Sequence, residues 1–315
     1  MIEAFVAVVR FGGFTRAAEG LHLSQPALSR RIGLLEHELG QAVFERGRSG
    51  ARLTDAGEVF LPHAEAALAS ARDGAAAVRA LAQGDVGRVT LAIVGTLAST
   101  GLTARLAGFR AAHPGLQLLL RTGGSAEVSG LVRRGEVAVG LRYFADPSPD
   151  LVSREVAREP LVVVAGAGHP LAGRRRIAAR RITGEAWVAF PPRRGAIIDP
   201  FGHLLERRLA AAGLDDAEVV VIDSLTAQKR LVESGFGLAL VPASSVREEV
   251  ARGTLRELDV PELRTDVDVV IIHRKGAFLS PATLRLIDEL ARVAASDVGR
   301  AQRGARAPRK RRGRA

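Results

Sequence analysis

Between Ser24 and Gly40 the chain places Leu28, Ile32, Leu35 and Leu39 at steps of four, three and four residues. That spacing brings them onto one face only if the segment is an α-helix. Ser24 is a good N-cap, Pro26 falls in the first turn where its missing N–H is harmless, and Gly40 is placed to end the helix. Upstream, Phe5, Val8 and Val9 predict a first helix closed by Gly12-Gly13. Phe14-Thr15 opens a second, with Thr15 as N-cap and Ala17, Ala18 and Leu21 facing inward, and a break follows at His22-Leu23. Two short helices with a tight break between them form the helix-turn-helix pattern.

The chemistry follows from the helix period. At about 100° per residue, Pro26, Ser29, Arg30 and Gly33 lie opposite the Leu/Ile stripe, with Gln25 at its border. The buried stripe fixes the helix and leaves the other face free to enter a major groove. There Gln25 can read adenine, Ser29 can bond a base or phosphate, and Arg30 and Arg31 can grip phosphates or guanine. Helix spacing alone fits an ordinary amphipathic helix equally well. The segments 43–46 and 51–54 bear on that choice: both are strand-like and flank Gly47-Arg48-Ser49-Gly50. They predict a hairpin carrying Arg46, Arg48 and Arg52, a wing suited to a sugar-phosphate edge.

Charge adds little by itself. Of the formal net charge of +11, the eight basic side chains of residues 298–315 leave only +3 for residues 1–297. That segment has no acid and no large apolar residue after Val298, so it is expected to be a disordered basic tail. Residues 1–84 hold nine basic and nine acidic residues, so nucleic-acid binding there must come from where the arginines are placed.

The run from Phe14 to Ile32, with Ser24-Gln25-Pro26-Ala27-Leu28-Ser29-Arg30-Arg31, is followed by Leu35-Glu36, Glu38-Leu39-Gly40, Phe44-Glu45-Arg46 and Leu53-Thr54-Asp55-Ala56-Gly57. Together they resemble the LysR-type family of transcriptional regulators almost position for position. The resemblance implies that Gln25, Pro26, Ser29 and Arg30 enter the major groove of double-stranded DNA while the wing touches the adjacent minor groove. Thr15 and Ser24 join this set at the helix starts. Two departures stand out: the first helix begins close to Met1, and Gly33 replaces a side chain that is commonly polar or basic. RNA polymerase is a further partner that such a regulator implies.

Thr54 is expected to cap a long helix over residues 55–83, with Asp55 and Glu58 in its first turn. Phe60, Ala64, Leu68, Ala71, Ala75, Val78 and Leu81 or Ala82 recur along it at spacings of three and four. A rod of about 43 Å with such a stripe needs a partner. Either a second copy covers it, or the downstream domain of the same chain does. The resemblance implies a homodimer or homotetramer.

From Arg88 onward β-branched runs alternate with helical stretches. Strands at 88–94, 116–121 and 137–141, separated by helices at 101–112 and 126–134, predict a parallel sheet. A second series begins at Leu161–Ala165 and continues through Trp187–Phe190, Glu218–Ile222 and Leu238–Val241 to Leu258. Val267–His273 and a helix from Ser280 then return to the first lobe. Arg134-Gly135, His169-Pro170-Leu171 and the run Val232–Pro242 are similar to landmarks of the same family's effector domain, which resembles periplasmic binding proteins. The expected architecture is therefore α+β and multidomain. It comprises a winged helix-turn-helix (1–54), a linker and dimerisation helix (55–84) and a two-lobed α/β effector domain (88–295). Lobe one is expected at about 88–159 and 267–295, lobe two at about 160–266.

Ligands of such sheets bind outside the carboxyl ends of the strands. That rule singles out Thr96, Ser99, Ser125, Phe190, Arg193 and Ser224 as effector contacts. Hydroxyls at helix starts and an arginine suit an anionic effector, although Ser125 and Ser224 also serve as plain N-caps and the arginine as a solvated loop residue. With no cysteine, thiol catalysis and zinc-thiolate sites are excluded. No Gly-x-Ser-x-Gly, P-loop or His-Glu-x-x-His motif is present, and Gly235-Phe-Gly237 lacks the third glycine of a dinucleotide fingerprint. Neither an enzyme nor a cofactor or metal site is expected. No signal peptide or apolar run of membrane-spanning length is read, so the expected location is cytoplasmic, without a membrane partner. A solute-binding module would leave residues 1–54 unexplained, and a purely architectural DNA binder would leave the α/β half idle.

Overall fold

In a computed structural model, residues 1–45, 51–83, 87–98, 100–194, 197–198 and 200–291 are described. The chain divides into two units: Met1–Ala82 with Arg133–Glu136 and Gly276–Phe278, and the remainder.

The first unit carries α1 (Ile2–Phe11), α2 (Phe14–Gly20), α3 (Gln25–Leu39) and α4 (Asp55–Gln83). Ser24 caps α3 as expected. Its backbone is extended and its Oγ accepts from the Ala27 N–H at 3.3 Å, while Gly40 closes the helix at φ 67°. Leu28, Ile32 and Leu35 are buried in a core shared with Phe5, Val8, Ala17, Ala18, Val43 and Phe44. The Phe5 ring lies 5.4 Å from Phe44 and 5.3 Å from Phe60, so α1 holds both the hairpin base and α4.

Two details differ from the sequence expectation. The Gly13 carbonyl already accepts from the Ala17 N–H at 3.1 Å, so Gly13 is the N-cap of α2 and Thr15 lies inside its first turn. Leu39, in the last turn of α3, is 39% exposed because the stripe runs past the core at that end. The hairpin base forms: Phe44 bridges Leu53, and the Glu45 N–H donates to the Arg52 carbonyl at 2.9 Å. Thr54 caps α4 by accepting from the Gly57 N–H at 3.1 Å, and its hydroxyl donates to the Ala42 carbonyl at 2.6 Å. A Cβ on Gly57 would stand 2.2 Å from the Val43 carbonyl oxygen, so only glycine lets α4 and the hairpin approach this closely.

In the second unit β1 (Gly87–Val94), α5 (Thr100–Ala112), β2 (Leu116–Gly123), α6 (Ser125–Arg133) and β3 (Val139–Tyr143) form the expected parallel order, with β1 between β2 and β3. Next come β4 (Leu151–Gly166), β5 (Trp187–Ala189), β6 (Arg193–Arg194), β7 (Ile197–Ile198), α7 (Pro200–Ala211) and β8 (Val219–Val221). The series ends with α8 (Leu225–Glu233), β9 (Ala239–Pro242), α9 (Arg247–Arg252), β10 (Leu255–Leu258) and β11 (Thr265–Arg274), followed by a helix over 281–291. β5 and β8 pair in parallel.

The strand expected to begin at Leu161 begins ten residues earlier. Residues Leu151–Leu161 of β4 pair antiparallel with β11, and Leu161–Gly166 run between β9 and β10. β11 pairs in turn with β3. Two long strands therefore carry the chain from one α/β lobe to the other and back.

A buried ion pair fastens the end of β3. Arg142 pairs with Asp146, its Nη1 donates to Ser129 Oγ on α6 at 2.6 Å and its Nε to the Tyr143 carbonyl at 3.1 Å. Desolvation alone would push the Asp146 carboxyl up, but hydrogen bonds from Ser129 and Ser148 and the Arg142 guanidinium hold it below the usual carboxylate range. A depressed folded value contributes stability at neutral pH that is lost as pH falls from about 4 through that lower value. Asp146→Ala is expected to cost about 3–5 kcal/mol by leaving a buried guanidinium without its counter-charge. Urea unfolding across that acid range checks both points, since the variant should lose the acid-limb slope that Asp146 supplies. An unchanged midpoint would show the pair to be dispensable.

Candidate nucleic-acid interface and effector cavity

The polar face of α3 is presented as the helix period requires. Gln25, Pro26, Ser29, Arg30, Arg31 and the capping Ser24 are all exposed, and Pro26, Ser29 and Arg30 lie on the side away from Leu28, Ile32 and Leu35. A Cβ on Gly33 would meet nothing within 4 Å, so the face stays open toward its middle. Thr15 is exposed on α2. Arg52 is exposed on the hairpin and reaches Glu45 at 3.8 Å, while Arg46 and Arg48 lie outside the described residues. An exposed pair at that distance contributes little, which leaves Arg52 available to another anion. The first four N–H groups of a helix lack intrahelical partners, and in α3 Pro26 removes one and Ser24 Oγ satisfies another. The remaining amide dipoles favour a phosphate near Gln25.

The second site is a cavity of about 230 Å³. It is built where strands end. Val94 ends β1 and Gly95 and Thr96 follow it, Thr122 and Gly123 end β2 with Gly124 leading to Ser125 of α6, and Tyr143 ends β3. Phe190 follows β5, and Asp223 and Leu225 lie between β8 and the start of α8. Gln228 Nε2 donates to the Val188 carbonyl at 2.7 Å, which fixes α8 against β5 and so sets Asp223 and Leu225 beside Phe190.

Of the residues expected to contact an effector, Thr96, Ser125 and Phe190 line this cavity. Ser224 is exposed and caps α8, accepting from the Ala227 N–H at 3.4 Å, and its two neighbours line the wall instead. Ser99 and the side chain of Arg193 lie outside the described residues. Thr122, Glu127, Tyr143 and Asp223 were not anticipated. Tyr143 is fully buried, and burial pushes its phenol well above the usual range, so it is a neutral hydroxyl at any physiological pH. Among the described residues no helix is long and apolar enough to cross a membrane.

The model of the LysR substrate binding domain matches residues 82–295, and that of the bacterial regulatory helix-turn-helix protein, lysR family, matches residues 1–58. The chain is 28% identical over 282 residues to the HTH-type transcriptional regulator CfxR of Cupriavidus necator, covering 90% of this chain and 87% of that one. It is 30% identical over 287 residues to the HTH-type transcriptional regulator CbbR of Xanthobacter flavus, covering 90% and 84%. The solved structure of full-length CbnR complexed with its target DNA is similar at a TM-score of 0.61 and 26% identity, over 93% of this chain and 98% of that one.

The cap of α3 yields a direct test. Ser24→Ala should lower stability by about 0.5–2 kcal/mol, whereas Ser24→Asp, an equally good cap, should not. Thermal unfolding of the two variants beside the wild type separates the cases, and equal losses would mean that the hydroxyl does not stabilise α3 by capping.

Proposed function

The chain belongs to the LysR-type family of bacterial transcriptional regulators, and on that premise we propose that α3 reads an operator in the major groove while a small molecule in the strand-end cavity sets the response. It is a DNA-binding regulator and not an enzyme. One observation carries the assignment of the interface: a helix held from behind by Leu28, Ile32 and Leu35 turns an unobstructed face of Gln25, Pro26, Ser29 and Arg30 outward. Gln25 suits adenine, Ser29 a base or phosphate, and Arg30 and Arg31 guanine or the backbone. The wing arginines Arg46, Arg48 and Arg52 follow the neighbouring sugar-phosphate edge.

The far part of α4 supports a homo-oligomer. Val78 and Leu81 are exposed in the single chain, and a second copy of the helix would cover them. Two heads held this way would meet two half-sites related by the same symmetry. The α6 start, with Ser125 and the Thr96 and Thr122 hydroxyls around it, supports an effector bearing a carboxylate or similar anionic group. Such a ligand bridges residues on both sides of the β4 and β11 connections. It would therefore favour one relative setting of the lobes and change half-site spacing or DNA bend through the oligomer. The protein acts in the cytoplasm, where its operator and RNA polymerase are.

Binding to DNA from the intergenic region upstream of the protein's own gene tests the assignment. Ser29→Ala and Arg30→Ala should each weaken a specific, salt-dependent gel shift by about 1–3 kcal/mol, roughly fivefold to a hundredfold. Wild-type affinity in both variants would remove α3 from the interface.

A further inference from the structure

We propose that Glu127 makes the strand-end cavity a site for a small zwitterion, its ammonium group held by the Glu127 carboxylate and its own carboxylate by Ser125 and the first turn of α6. The inference rests on reading this cavity as the effector site and adds the cationic half of the ligand.

Glu127, third residue of α6, lines the cavity, and its Oε2 lies 2.5 Å from the position a Cβ on Gly123 would take. The carboxylate of this exposed residue thus lies over the strand end, beside a position that carries no side chain. Among the described residues Glu127 takes part in no hydrogen bond or ion pair, whereas Asp223 across the cavity is already engaged within the protein. The described lining therefore presents acidic side chains and no basic one. A ligand that is only an anion would meet a like charge at the point where the α6 dipole invites it. A ligand that also carries an ammonium meets an opposite one.

Ser125 supplies an independent sign of a ligand. It is 2% exposed, its hydroxyl is bonded to nothing among the described residues, and it faces the same cavity. That hydroxyl is open to the cavity and available to an occupant. Ser125 and Glu127 line one small cavity, so the two charges they recognise belong to one compact ligand, such as an α-amino acid. Val94, Phe190 and Leu225 leave an apolar wall for its side chain, and the volume of about 230 Å³ restricts that side chain to a small or medium one.

Thermal unfolding of the full chain against three matched sets of probes tests the proposal: L-α-amino acids, their des-amino carboxylates and their decarboxylated amines. At least one amino acid, at about ten times its dissociation constant, should raise Tm by about 3–6 °C. Its des-amino partner should bind at least about tenfold more weakly. Glu127→Gln should abolish that preference, and Gly123→Ala, which displaces the carboxylate without removing it, should reduce it. Stabilisation by no amino acid, equal binding of the des-amino acid, or a preference that survives both substitutions would each overturn the proposal. The underlying reading fails differently. An amino acid that binds through Glu127 yet leaves the operator footprint unchanged would uphold the zwitterion site and remove its regulatory role.

Discussion

Everything the first unit can do depends on which face of α3 is buried. Leu28, Ile32 and Leu35, each no more than 3% exposed, are worth about 1.5–3 kcal/mol apiece in removed apolar surface. The Ser24 cap adds about 1 kcal/mol, and the exposed Glu45–Arg52 pair adds less. The apolar contacts therefore decide the rotation of the helix, and the polar residues are presented as a consequence. Phe5 extends the same constraint, since its ring meets both Phe44 of the hairpin and Phe60 of α4. Helix, hairpin and rod are held by one aromatic cluster, with Thr54 and Gly57 closing the joint between the last two. With no net charge in residues 1–84 to attract DNA from a distance, this placement has to supply affinity through short-range contacts.

The second unit places chemistry by topology. In a parallel sheet all strand ends of one kind point the same way, so hydroxyls and carboxylates far apart in sequence converge on one cavity. β4 pairs with β11 along its first part and with β9 and β10 beyond it, so one continuous strand links the two sets of strand ends. The Arg142–Asp146 pair and its bond to Ser129 anchor α6 to β3, and α6 carries both Ser125 and Glu127. A buried ion pair is weak evidence for added stability, but it defines where a helix start stands relative to a strand end.

Much of this was legible from residues alone. The α3 stripe, the Ser24 and Thr54 caps, the Gly40 stop and the strand order of the first lobe all follow local rules that tertiary contacts did not override. The first half of β4 was not legible, because Arg154, Glu155, Arg158 and Glu159 interrupt any apolar run there. Its strand character comes from pairing with β11, more than a hundred residues later. Thr15 has the chemistry of a cap, yet the Gly13 carbonyl makes the first bond of α2 and takes that place. Strand-end logic found Thr96, Ser125 and Phe190, but it favours hydroxyls and arginines near a strand's last residue. Tyr143, at a strand end, and Glu127, a helix residue, became visible only when five segments met around one space.

α3, turned by its apolar stripe, is proposed to read base edges in the major groove. Methylation interference at guanine N7 on the operator tests it most directly, because N7 is exposed only in that groove. Interference is expected only at two half-sites separated by whole turns of the duplex, lost at individual positions when Arg30 is removed. Binding that tolerates N7 methylation throughout the protected region would contradict it and place recognition in the minor groove or the backbone.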